Sequence, residues 1–209
     1  MEGFGIKTML DAKRIFDISF SIILSVILLP LILVLSLLIL FFEGRPIFYI
    51  SKRSKALNEE FDLVKFRTMS NTTEDYGVSG GDKSKRITNL GRYLRKTRLD
   101  ELPQLWNIFK GDMSFVGPRP PLPEYVERFS DLYAKVLHNK PGVTGLASLY
   151  FHSHEEALLS KSQSPVETDA VYTRRCIPRK ARLDLIYQKH QNLCFDISII
   201  LKTVVKCFY

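Results

Sequence analysis

The sequence predicts a compact, helix-dominated α/β domain with short strands, joined to an N-terminal membrane element. Three observations carry this. Residues 18–42 contain no charged side chain. The chain beyond them breaks into short segments, one of strand character and several of helical period, separated by turns rich in proline and glycine. Of the 209 residues, 45% are hydrophobic, which suits one core with an appended membrane segment. The division expected is residues 1–45 for the membrane element and its flank, and 46–209 for the domain. Thirty lysines and arginines against 22 acidic residues leave a formal charge of +8 and a pI of about 9.4. That balance favours an anionic partner (nucleic acid, lipid head groups or phosphorylated substrates) without choosing among them.

The apolar run is long enough to cross a bilayer, which takes about 20 residues. It is too long for a cleaved signal peptide, whose apolar region is ~7–15 residues, and no small-residue cleavage site follows. Lys7, Lys13 and Arg14 precede it; Arg45, Lys52, Arg53 and Lys55 follow. Positive residues prefer the cytoplasmic side, so a simple span puts one cluster on the wrong side. Pro30, in mid-run, removes a helical hydrogen bond and clashes with the preceding turn. A helix–break–helix hairpin with both ends cytoplasmic satisfies both observations. A proline-kinked spanning helix is the alternative.

Residues 61–69 (FDLVKFRTM) read as a strand. Residues 71–84 are polar, with Gly77, Gly80 and Gly81, and read as a loop. Residues 87–96 read as a basic helix. Residues 98–110 (RLDELPQLWNIFK) read as an amphipathic helix closed by Gly111, with Leu102, Leu105, Trp106 and Phe109 as its apolar stripe. Pro118, Pro120, Pro121 and Pro123 make a rigid turn after Phe115 and Val116. Residues 141–145 (PGVTG) turn into a short apolar segment. Residues 182–187 and 195–209 read as later helices. The last is basic and amphipathic, which suits a membrane surface as well as it suits packing on the domain. Cys176, Cys194 and Cys207 are odd in number and form no C-x-x-C pair, so neither a disulfide framework nor a zinc site is indicated. No Walker-type loop and no G-x-G-x-x-G is present.

Asp100 and Glu101 stand together at the start of the helix predicted over 98–110, and Pro103 is at home in its first turn. By themselves they read equally as an N-cap and a dipole-matched surface residue. Their surroundings suggest more: Arg92, Arg95, Lys96 and Arg98 lie just upstream. A helix start, several cations and carboxylates together can hold a phosphate and a divalent metal, and a carboxylate can attack phosphorus. Asp112 would add a metal-side carboxylate, and Arg119 and Lys65 phosphate-binding cations.

At this point the sequence becomes recognisable. It resembles the small monotopic phosphoglycosyl transferases, the bacterial sugar transferase family, through KRIFD (13–17), KFRTM (65–69), LDELPQLWN (99–107), KGDMSFVGPRP (110–120) and KPGVTG (140–145). The likeness continues through LDLIY (183–187) and the segment 196–202, covering nearly the whole chain in order. The resemblance implies a membrane segment that is a re-entrant hairpin broken at a proline. It implies that Asp100 attacks the sugar-bearing phosphorus of a UDP-sugar, expelling UMP, and that undecaprenyl phosphate then takes the phosphosugar from the aspartyl enzyme in ping-pong fashion. Mg²⁺ would be bound partly by Asp100. Glu101 matches the second member of the dyad, with metal organisation and proton handling both open to it. Lys65, Arg95 and Arg119 match basic positions near the phosphates. The implied location is the cytoplasmic face of the bacterial inner membrane, among its lipids, with no nucleic-acid partner.

Three departures from the family pattern bear on this. The break is often Ser-Pro in the family, whereas here it is Leu29-Pro30. His152 stands where many members carry a phosphate-binding arginine; as a cation there it would lose the phosphate as pH rises. Arg98 replaces a residue that is often small and polar. Two other classes compete: an inactive membrane-anchored scaffold, which the intact dyad opposes, and a tethered nucleic-acid binder, which the carboxylate pair opposes because carboxylates repel a polyanion.

Overall fold

A computed structural model of the chain describes residues 2–70, 78 and 81–208. The chain opens with α1 (Glu2–Phe42), a helix of 41 residues with Pro30 inside it. Its stretch Ala12–Phe42 reaches a mean hydropathy of 3.2 over its most apolar window, of which 11% is buried. By length and composition this helix can cross a membrane. The helix runs on through Pro30, so a hairpin of two separate helices is not shown. One lost amide donor leaves the rest of the ladder intact, and helices tolerate that with a kink.

One face of α1 lies on the domain. Phe16, Phe20, Leu24 and Leu28, four apart, pack with Phe61, Leu63, Ile108, Met113 and Phe115. Ile32, Leu35 and Ile39 continue the same face onto Phe66 and Leu94. Spacings of three and four keep these side chains on one stripe. Burying each is worth about 1.5–3 kcal/mol. The other faces present Ile22, Val26, Leu33 and Leu37, all exposed.

Both ends of the apolar stretch are tied to the domain. Near its start, Lys13 donates to the Val116 carbonyl at 3.1 Å and pairs with the buried Asp196, while Tyr187 donates to the same carboxylate at 2.6 Å. Arg14 donates to the carbonyls of Ile108 and Phe109, at 2.7 and 2.8 Å. Asp17 accepts from Ser114 and the Phe115 amide. Past its end, the buried Arg67 donates to the carbonyls of Glu43 and Gly44, each at 2.7 Å. A guanidinium there satisfies carbonyls that a helix end leaves unpaired.

β1 (Phe48–Ala56) and β2 (Glu59–Phe66) form an antiparallel hairpin. β1 is not anticipated by the sequence reading, since Lys52, Arg53 and Lys55 interrupt its apolar run. Gly81–Arg86 is a 3₁₀ segment, and the rest of the loop expected over 71–84 falls almost wholly outside the described residues. α2 (Asn89–Lys96) is capped by the Thr88 hydroxyl, which accepts from the Gly91 amide.

The single helix expected over 98–110 is two pieces. Leu99–Glu101 form a 3₁₀ turn, and α3 (Gln104–Lys110) starts after Pro103. Gly111, at φ 97°, ends α3 in the left-handed conformation that favours glycine. The expected stripe is also corrected: Leu105 and Ile108 are buried, whereas Trp106 and Phe109 are exposed and stacked on each other. The inward face of α3 is set by Asn107, which donates to the Asp62 carbonyl and accepts from the Val64 amide of β2.

β3 (Ser114–Val116) and β4 (Gly142–Thr144) pair in parallel. Gly142 is obligatory there, because a Cβ would sit 2.1 Å from the Gly117 nitrogen. Between the two strands run α4 (Pro123–Arg128) and α5 (Ser130–Val136). After β4 come α6 (Leu146–Leu159), α7 (Pro165–Val171), a π-turn Tyr172–Cys176, α8 (Ile177–His190) and α9 (Leu193–Phe208). α9 packs on the domain by one face only. Ile199 is buried against the core, and Ile197, Leu201, Val204 and Val205 remain exposed.

Candidate active site

The 3₁₀ turn holding the dyad sits between α2 and α3 and opens onto a cavity of about 570 Å³, well within the range of small-molecule sites. Among the described residues, nine lysine and arginine side chains line it, against five carboxylates. Arg98, which starts the turn, holds φ at 56°, a conformation that costs a non-glycine residue about 1 kcal/mol. That backbone turns both Asp100 and Glu101 inward, each 7% exposed.

The two carboxylates have opposite environments. Glu101 accepts from Arg119 at 2.7 Å and Lys65 at 3.1 Å, and Arg98 stands 3.8 Å away. Burial alone would raise its carboxyl, but Arg119, Lys65 and Arg98 hold it well below the usual range. It is ionised and fully engaged. Asp100 has no hydrogen bond or ion pair to any described side chain and faces the cavity. Burial raises its carboxyl above the ordinary value, with Lys65 opposing and Glu101 reinforcing. A carboxylate left with open lone pairs beside a basic chamber is available to a ligand or to chemistry.

The cations differ as well. Burial pushes the Lys65 ammonium down despite Glu101. Arg95 donates to the Thr68 hydroxyl at 2.9 Å while lining the cavity. Arg53 on β1 also lines it and has no carboxylate within ion-pair distance among the described residues; burial and then Arg119 lower its guanidinium. Among the described residues, no three carboxylate, histidine or cysteine side chains converge as a metal cage. One open carboxylate in a phosphate-sized basic chamber suits Mg²⁺, which is usually held by one or two carboxylates together with substrate phosphates and water.

The chain matches the family described as bacterial sugar transferase over residues 7–209. It belongs to that family. A transferase of Aeromonas hydrophila named UDP-N-acetylgalactosamine-undecaprenyl-phosphate N-acetylgalactosaminephosphotransferase is 32% identical over 198 residues, covering 92% of this chain and 42% of that protein. The undecaprenyl-phosphate galactose phosphotransferase of Salmonella typhimurium is 33% identical, covering 91% and 39%. The sugar transferase EpsL of Bacillus subtilis, itself uncharacterized, is 41% identical, covering 93% and 86%. The chain thus spans about two fifths of the Aeromonas and Salmonella relatives and most of the Bacillus one.

In this member of the family the structure brings Asp100, Glu101, Lys65, Arg95, Arg119 and His152 to one cavity. Of the basic cluster upstream of the dyad, Arg95 and Arg98 line it while Arg92 and Lys96 point to solvent. Asp112 does not reach it. It follows Gly111 and stands 3.6 Å from Lys55 and 3.5 Å from Lys110. His154 does not line the cavity and meets Arg179 at 3.2 Å. His152 enters from α6, but burial, Arg98 and Arg119 push its imidazole down to about 3. That direction runs against a cationic role, although its Nε2 stands 3.4 Å from Glu156.

Sequence reasoning missed Arg53, Glu155, Lys180 and Asp184, all of which line the cavity. Arg53 lies in the unanticipated strand. Asp184 lies in the LDLIY motif, whose helical period marks it as one more polar residue between apolar ones.

Proposed function

We propose that this chain transfers a sugar 1-phosphate from a UDP-sugar to undecaprenyl phosphate, releasing UMP and initiating assembly of a bacterial glycan. The observation that carries the reading is the division of labour in the dyad: Glu101 is neutralised by three cations, and Asp100 is buried, open and aimed into a basic cavity. An Asp100 oxygen attacks the sugar-bearing phosphorus, and the bond from that phosphorus to the bridging oxygen breaks. UMP leaves with that bond's electrons. An oxygen of the lipid phosphate then attacks the same phosphorus, and the aspartyl oxygen departs as the regenerated carboxylate. This two-step exchange lets a soluble donor and a lipid acceptor use one site in turn, with ping-pong kinetics. Lys65, Arg95, Arg119 and Arg53 hold the phosphates and balance charge as it moves between oxygens. Glu101 keeps Lys65 and Arg119 in place. His152 contributes as a neutral hydrogen-bonding group. Mg²⁺, held by Asp100 with the donor's phosphates, would neutralise their negative charge.

The site works at the cytoplasmic face of the inner membrane, with α1 bent at Pro30 so that it dips into one leaflet without crossing the bilayer. Basic residues flank the apolar stretch on both sides. Lys13 and Arg14 at its start and Glu43 and Gly44 just past its end bind the same domain. A domain on one side of the bilayer cannot hold both ends of a helix that crosses it. The exposed Trp106 and Phe109, with Phe41 and Phe42, supply interfacial aromatics. In a cysteine-free background, cysteines introduced at Lys7 and Lys52 are expected to label from the same side; labelling from opposite sides would mean α1 spans.

The deciding assay is UMP release from a panel of UDP-sugars by detergent-purified protein with undecaprenyl phosphate and Mg²⁺. Repeated turnover that needs lipid, metal and Asp100 is expected, with no more than about one UMP per enzyme when lipid is left out. Repeated turnover without lipid, or full activity in Asp100→Asn, overturns the mechanism. Absence of release with every donor, from folded protein, favours the inactive-scaffold reading.

A further inference from the structure

The cavity has a second polar end. Away from the dyad it is walled by α6, the π-turn and α8, which contribute Glu155, Tyr172, Lys180 and Asp184. Lys180 pairs with Glu155 at 2.8 Å and reaches the Tyr172 hydroxyl at 3.3 Å, so its charge is already committed. Asp184, one turn along α8 from Lys180, is 7% exposed. Its Oδ1 is buried with no hydrogen-bond partner among the described residues. An orphaned carboxylate oxygen is costly, because nothing replaces the water it has lost. Native structures keep such groups when something else completes them.

This end is ill-suited to phosphate. Its one lysine is neutralised, and two carboxylates would repel an anion. It is well suited to neutral hydroxyl groups, which donate to carboxylate oxygens in charge-assisted hydrogen bonds. Lys65, Arg95 and Arg119 line the cavity around the dyad, with Arg119 near enough to Glu155 and Lys180 to feel their charge, while Asp184 feels only Lys180 and Glu155. A ligand lying along the cavity would therefore be anionic where it meets the dyad and rich in hydroxyls where it meets α8.

The geometry points to Asp184 and Glu155 as a polyol subsite, accepting hydrogen bonds from vicinal hydroxyl groups of the nucleotide-sugar donor. This rests on the donor reading above. The hydroxyls could belong to the transferred sugar or to the ribose, and the test separates them. Donor affinity would be measured calorimetrically on the full chain in detergent, for wild type and Asp184→Asn, with UDP and with a UDP-sugar that wild type turns over. Asp184→Asn is expected to weaken UDP-sugar binding about ten- to a hundredfold, with a thermal midpoint equal to or above wild type's. A merely structural carboxylate would lower that midpoint instead. If UDP affinity is unchanged, the hydroxyls are the sugar's; if it falls in parallel, they are the ribose's. Unchanged affinity for both ligands overturns the subsite. Glu155→Gln gives the same reading should Asp184→Asn fail to fold. Donors lacking single hydroxyls give it on wild type alone, and unchanged affinity for all of them overturns it as well. A wild-type chain that binds neither UDP nor any UDP-sugar would remove the donor reading and this one together. UDP bound normally with no effect of Asp184→Asn would remove only this one.

Discussion

The two ends of the cavity hold carboxylates of equal burial and opposite character. Glu101 and Asp184 are each 7% exposed. Glu101 lies within 4 Å of three cations and is held well below the ordinary carboxylate range. Asp184 has one cation in its neighbourhood, already paired with Glu155, and burial pushes it up to about 7. Burial sets the size of the electrostatic stakes, and the partner decides the sign. Asp100 is an intermediate case. It is as buried as the others, lies next to Lys65, and is left without a bond of its own. The dyad end is a preorganised charge network with one open member. The α8 end is an unfinished one.

Four measurements would break or sharpen that contrast. The largest effect is expected at the open member. Asp100→Asn should cut turnover by about four orders of magnitude or more, as loss of a nucleophile does elsewhere, and leave the thermal midpoint near wild type's. UMP release and a melting curve check both halves. Next is the engaged member. Glu101→Gln leaves the half-buried Lys65 and Arg119 without their counter-charge, and should destabilise the fold by about 1–3 kcal/mol. Denaturant titration measures it, and an unchanged midpoint would mean the network does not hold the site together.

The third acts at the other end. Asp184 is raised in the folded state, so wild type carries an ionisation penalty above pH 7 that fades as pH falls and Asp184 takes up a proton beside Lys180 and Glu155. Asp184→Asn should therefore be about 1–2 kcal/mol more stable than wild type at pH 8, with the gain shrinking toward pH 5. A gain that does not vary with pH would show that Asp184 is not the titrating group. The smallest effect is a flat line. With His152 neutral, donor affinity in wild type and His152→Gln should show the same pH dependence between pH 6 and 8. A histidine titration in that range, lost in the variant, would restore His152 as a cationic phosphate ligand.

Much of this was legible in the sequence because it depends on local pattern. The uncharged run predicts α1 as a membrane-length helix, Gly111 predicts the end of α3, and the alternation over 61–69 predicts β2. Motif likeness placed Asp100, Glu101, Lys65, Arg95, Arg119 and His152 in one site, and the structure gathers them around one cavity. The misreadings share a cause. Trp106 and Phe109 have the hydrophobicity of core residues and stand exposed, because helical period does not say whether an apolar face meets protein or lipid. Asp112 has the right chemistry near the right motif and points elsewhere.

The sequence by itself determined that a basic domain carries one long apolar helix, and that a carboxylate pair lies close to several lysines and arginines. Only the tertiary structure decided which carboxylate is free, that Arg98 strains its backbone to turn the pair inward, and that Arg53 and Asp184, 131 positions apart by their numbers, line the same chamber. The physical reason is range. Helical period and capping act within a few residues of the chain, and these the sequence displays. Desolvation and Coulomb attraction act through space, and they depend on which distant side chains the fold brings within a few ångströms.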